Sequence, residues 1–180
     1  MLIFKHEEFR RLFLPSFISF VLIVAGFSLL AQIKADTTGS VTATVTAQNL
    51  ALTVADGVVT YGTVGVGNSK ATTTGGGELA DSQDAVNTGN IESKFNIKGS
   101  TSPNWGIGPT AGDEEYAHKF CTSNCDSSPS WSALTTSYAT LVGTIGVGVT
   151  QNFDLILYTP LTTANYTEQS VNVTVQVTTP

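Results

Sequence analysis

Twenty consecutive residues without a charge, LFLPSFISFVLIVAGFSLLA at 12–31, constrain this chain more than any other feature. A helix of that length, rising about 1.5 Å per residue, covers the ~30 Å hydrocarbon core of a bilayer. The stretch therefore predicts one N-terminal hydrophobic helix, and residues 12–31 are the only part expected to touch a membrane. Lys5, Arg10 and Arg11 precede it, diluted by Glu7 and Glu8. Basic flanks stay in the cytoplasm, so the bulk of the chain is expected to be exported, extracellular or on the cell surface.

Two fates are open for residues 1–35: a signal peptide or a membrane anchor. Cleavage after Ala35 leaves Asp36 as the new N-terminus, with a small residue at the cut. Cleavage is the first reading, but Ile33 departs from the A-x-A preference and the apolar run exceeds the usual core of about 7–15 residues, which keeps an anchor as the alternative. Pro15 and Gly26 are compatible with a spanning helix. In length and placement the segment also resembles a type IV pilin leader, but Leu12-Phe13-Leu14-Pro15-Ser16 carries neither a glycine before a cut nor an early helical glutamate.

Residues 36–180 make up one ordinary domain of 145 residues, long enough to bury about 70% of its unfolded surface. From Asp36 onward twelve acidic residues face four lysines and no arginine, a net charge of −8. Such a surface repels phosphate backbones, so no nucleic-acid partner is expected. Thr, Ser, Gly, Asn and Val suit strands and turns rather than helices.

Strict alternation marks several half-buried strands. From Ser40 to Ala47, SVTATVTA places Val41, Ala43, Val45 and Ala47 on one face, and Leu50, Leu52 and Val54 continue it. Asp56-Gly57 reads as a hairpin turn, with residues 58–61 as the return strand. GTVGVG at 62–67 recurs as GTIGVG at 143–148, either a duplicated half-domain or two independent glycine bends. TTTGGGEL at 72–79 is a loop. Residues 91–98 form a strand with Phe95 and Ile97 inward, and 115–122 a short strand. Phe153, Leu155 and Leu157 point inward from 151–159, and the valines of 171–177 close the domain. Strands at this spacing predict an all-β fold, an antiparallel β-sandwich of Ig-like or jelly-roll type.

The phrases YGTVGVGNSKATTT (61–74), AVNTGN (85–90) and IESKFNIKG (91–99) resemble bacterial extracellular Ig-like β-sandwich modules. Their order is also faintly similar to TasA-type secreted fibre subunits. The likeness spans about 40 residues and consists of turn chemistry. It implies a sandwich fold and a surface role, and transfers no functional residue.

Cys121 and Cys125 form C-x3-C, in an exported domain a local disulfide. With His118 the same residues could read as three zinc ligands, but an oxidising compartment removes the thiolates that zinc needs. Asp81, Asp84, Asp113, Glu114 and Glu115 are oxygen-rich, yet lack calcium-loop spacing and read first as a solvated acidic patch. Trp105 and Trp131, near Tyr116, are candidates for stacking on a glycan or anchoring a partner, or for closing one end of the core. Asn165 and Asn172 begin glycosylation sequons.

One histidine, no arginine and no nucleophile motif after residue 35 argue against an enzyme, and no cofactor or metal is expected. The function expected is a structural surface protein, subunit of a fibre, pilus-like filament or surface layer. Its expected partners are copies of itself or other surface proteins, joined by strand complementation through Ser40 to Ala47. The alternative is an adhesion module recognising a glycan or protein through the loops from Ser100 to Ser130.

Overall fold

The computed structural model describes residues 39–180. The hydrophobic stretch at 12–31 and the cut after Ala35 lie outside the described residues. Among the described residues no helix is long and apolar enough to cross a membrane. The chain divides into two compact units, Met1–Val45 and Thr46–Pro180, and the second holds every strand below.

That unit is all-β, with ten strands: β1 (Leu52–Ala55), β2 (Ser69–Ala71), β3 (Gln83–Asn87), β4 (Ser93–Lys98), β5 (Gly106–Gly108), β6 (Glu115–Cys121), β7 (Ser132–Ala133), β8 (Ala139–Ile145), β9 (Thr150–Tyr158) and β10 (Thr174–Thr178). They form two sheets. The larger follows the order β1-β3-β9-β6-β5, with β2 on β9 and β7 on β6. β9 is its spine: β3 pairs with the first half of one edge, β2 with the second half, and β6 with the other edge. The smaller sheet is β10-β4-β8.

Both sheets feed one hydrophobic cluster. Phe95 and Ile97 from β4 and Leu141 and Ile145 from β8 meet Phe120 from β6 and Phe153 and Leu155 from β9. Val173, Val175 and Val177 pack on its margin. The alternation predicted along 91–98 appears as Ser93, Phe95 and Ile97 buried, with Lys94, Asn96 and Lys98 between. Asn87 and Asp154, drawn into the interior, are satisfied. Asn87 donates to the carbonyls of Ile91 (2.9 Å) and Ile145 (3.1 Å), and its own carbonyl accepts from Gly89 N–H (3.0 Å). Asp154 accepts from the hydroxyls of Thr72 (2.8 Å) and Ser82 (2.6 Å), while Thr72 Oγ1 also accepts from Leu155 N–H.

Four expectations are corrected. Residues 40–47 form no strand and are fully exposed, Val41 at 94% and Val45 at 96%. Strand pairing begins only with β1 at Leu52. Asp56 and Gly57 do take positive φ (65° and 68°), yet no strand returns. Gly57 N–H bonds Ala55 O and Gln83 Oε1, which ties the turn to β3, and β3 takes the edge of β1. The sheets are not wholly antiparallel, because β5 runs parallel to β6. Leu157 is only half-buried.

The two glycine repeats make the same turn. Asn68 N–H bonds Gly65 O and Val149 N–H bonds Gly146 O, and Gly67 and Gly148 both have φ of 72°, where only glycine is at ease. Each turn launches a strand, β2 or β9, but a strand leads into the second alone.

Candidate functional site

Alternation along β6 sets Tyr116, His118 and Phe120 on one face, and register places His118 opposite Leu157 of β9 and Phe120 opposite Leu155. Phe120 and Leu155 enter the shared core. His118 and Leu157, one step further on, instead line a cavity of about 1020 Å³. That volume sits at the upper end of the ~300–1,000 Å³ typical of small-molecule sites. Residues 57–66 form one wall, residues 163–173 another, and Val175 of β10 the end beside the small sheet.

The walls share a property that strands lack. Residues 58–64 make no backbone–backbone hydrogen bond to any described residue, and neither do residues 166–171. Among the described residues the one hydrogen bond to 58–64 is from the Tyr61 hydroxyl, 2.9 Å from His118 Nε2. The two rings meet edge to face at 5.8 Å. Burial raises the Tyr61 phenol well above its ordinary range. Burial also pushes His118 down to about 4, so its ring is neutral at ordinary pH. His118 Nδ1 is buried and has no hydrogen-bond partner among the described residues. A buried polar atom left unpaired costs about 1–3 kcal/mol.

The 40–47 segment is rooted beside β3. Asn90 Nδ2 donates to Ala47 O (2.8 Å), Asn90 Oδ1 accepts from Asn49 N–H (2.7 Å), and Asn90 N–H bonds Asn49 O. Outward of that clamp the exposed residues keep their valine-threonine alternation.

The remaining candidates scatter. Cys121 and Cys125 are joined by a disulfide, and His118 faces Tyr61, so the three do not form a zinc site. Among the described residues no group of three acidic, histidine or cysteine side chains could hold a metal. The carboxylates are spent separately. Asp113 accepts from the Thr162 hydroxyl. Glu114 accepts from Ala164 N–H and the Thr163 hydroxyl, which hold its carboxyl below the usual range. Glu115 packs over Gly108, where an added Cβ would fall 1.7 Å from Oε1. Asp84 accepts from Asn152, and Asp81 from Gln83.

The aromatic trio does not form one surface. Tyr116 is fully buried and its hydroxyl donates to Ser100 O, so it is withdrawn as a ligand contact. Trp105 leads into β5 and Trp131 into β7, which pair with opposite ends of β6. Trp105 alone reaches the cavity, its indole N–H donating to Thr163 Oγ1 (3.1 Å). Asn172 is exposed and Asn165 half-buried, both on the 163–173 wall.

The chain matches no protein-family model, no curated protein and no solved structure. Its own geometry carries the functional argument. Tyr61 was not marked by any motif. The signal that could have found it is the apolar pair Val59 and Tyr61, two residues apart, just after the Asp56-Gly57 turn.

Proposed function

We propose that this chain is an exported, non-enzymatic structural protein. It is a β-sandwich subunit of a fibre, pilus-like filament or surface layer on the cell surface, and copies join by strand complementation through residues 40–47. One observation carries the reading: a segment with strand alternation lies exposed and unpaired at the root of the domain. An alternating segment with no edge of its own is a strand waiting for another sheet. The two sheets around one core support the sandwich, and the disulfide supports an oxidising compartment. The net charge of −8 after residue 35 keeps single copies soluble.

Electron microscopy of the cell surface and of the purified protein tests this. Filaments or a lattice are expected, and a protein that stays monomeric at high concentration contradicts it. A second reading, a binding module for a glycan or protein, is favoured only by Trp105 at the cavity. Trp105→Ala would then abolish ligand binding without lowering the melting temperature.

A further inference from the structure

We infer that the cavity beside Trp105 is a carbohydrate site that takes a short, uncharged oligosaccharide. This rests on the second reading above, the binding module, and is independent of the proposed assembly through residues 40–47.

The lining decides the class of ligand. Polar and apolar groups share it about equally, which suits neither a lipid chain nor an apolar ring system. No lysine or arginine lines it and Glu168 is its one carboxylate, so nothing there neutralises an anion. β9 reaches it through Phe153, Leu155 and Leu157 and β10 through Val175 alone, a footprint too short for an added strand.

A sugar ring is amphiphilic in the same way, with C–H groups on its faces and hydroxyls round its edge. Trp105 supplies an aromatic face for the C–H groups to pack on. Thr60, Thr63, Ser170 and Asn172 supply hydroxyl and amide groups for the edge. All four are exposed, and their side chains make no hydrogen bond to any described residue. The backbone of 58–64 adds N–H and C=O groups that pair with no described backbone. The volume of about 1020 Å³, at the upper end for small-molecule sites, leaves room for more than one ring.

Trp105 is held before any ligand arrives. Its indole N–H donates to Thr163 Oγ1 (3.1 Å), and that hydroxyl donates in turn to Glu114 Oε2 (2.7 Å). Gln169 Oε1 accepts from the Ser102 hydroxyl (2.9 Å) and Asn104 N–H (3.3 Å), which fixes the 163–173 wall to the loop that carries Trp105. Asn172 N–H donates to Ser100 Oγ (2.9 Å) on the same loop. An aromatic ring already fixed in place gives up little conformational freedom when a ligand packs on it.

The test screens the intact protein on an array of neutral hexose and N-acetylhexosamine oligosaccharides, printed beside uronic-acid and sialylated ones. The strongest neutral binder is then titrated by calorimetry. Neutral sugars are expected to bind, and acidic ones to bind at least about tenfold more weakly. Trp105→Ala is expected to lose the binding. Trp131→Ala, at the other end of β6 and outside the cavity, is expected to keep it. Thr63→Trp crowds the cavity from an exposed position, so it is expected to lose binding at an unchanged melting temperature, and it decides the matter should Trp105→Ala unfold.

Binding that survives both Trp105→Ala and Thr63→Trp overturns the cavity as the site and leaves a binding module standing. A preference for acidic sugars overturns the ligand class. Retention of no sugar at all overturns the inference and leaves the binding-module reading to protein ligands alone.

Discussion

His118 lies in the floor of the cavity, neutral and with one ring nitrogen unpaired. Its folded state resists protonation, with the ring pushed down from 6.5 to about 4. For a base with a depressed folded value, the unfolded chain takes up the proton first. Stability is therefore full above about pH 6.5 and falls as the pH drops toward 4, approaching a loss of about 3 kcal/mol. Urea unfolding at pH 7 and pH 4.5 should show this loss in the wild type and a smaller one in His118→Phe. An equal loss in both would contradict the assignment. Thr72 is the second residue on which much depends, since its hydroxyl serves both Asp154 and Leu155 N–H. Thr72→Val leaves a buried N–H unpaired and takes one partner from a buried carboxylate. Urea unfolding is expected to register a loss of about 2 kcal/mol, within the ~1–3 kcal/mol range for such groups. At this scale the sequence offered His118 as a candidate zinc ligand and Tyr116 as a candidate ligand contact, and the structure buries both; Tyr61 lies 57 residues from His118, and no local pattern pairs the two.

Elements with a clean period of two were readable. β4 and β6 fall inside the predicted strands, β9 begins one residue early, and β10 keeps only the second half of 171–177 and ends one residue beyond it. β8 was hidden because Gly143 interrupts the alternation of Ala139, Leu141 and Ile145, and because its register against β4 shifts around Phe95. Residues 40–47 show the opposite failure: perfect alternation and no strand. Period two records which residues could share a face, but pairing needs an edge, and the edge depends on the rest of the fold. The Cys121–Cys125 disulfide closes a loop of separation 4 at the end of β6. The loop-entropy model gives so short a closure about 2 kcal/mol. Reduction should lower the unfolding free energy by about that amount without changing the far-ultraviolet circular dichroism. Loss of the β signal on reduction would mean that the bridge holds the fold rather than a turn.

For the whole molecule, the proposed assembly rests on the acidic balance after residue 35 and on the exposed alternation at 40–47. The membrane stretch at 12–31 fixes the expected address, and N-terminal sequencing of protein recovered from the cell surface reads its fate: a start at Asp36 means release, and a start at Met1 means a tether. The zinc and calcium patterns weighed in the sequence do not come together among the described residues, whereas the cavity was invisible in it. A groove is a property of what two distant segments, 57–66 and 163–173, leave between them.

Amide hydrogen exchange across residues 40–47, compared between monomer and assembled protein, tests the central claim most directly. The account predicts amides that exchange at the rate of an open chain in the monomer and become strongly protected on assembly. Amides that are protected already in the monomer, or still exchange freely in the assembly, would contradict it.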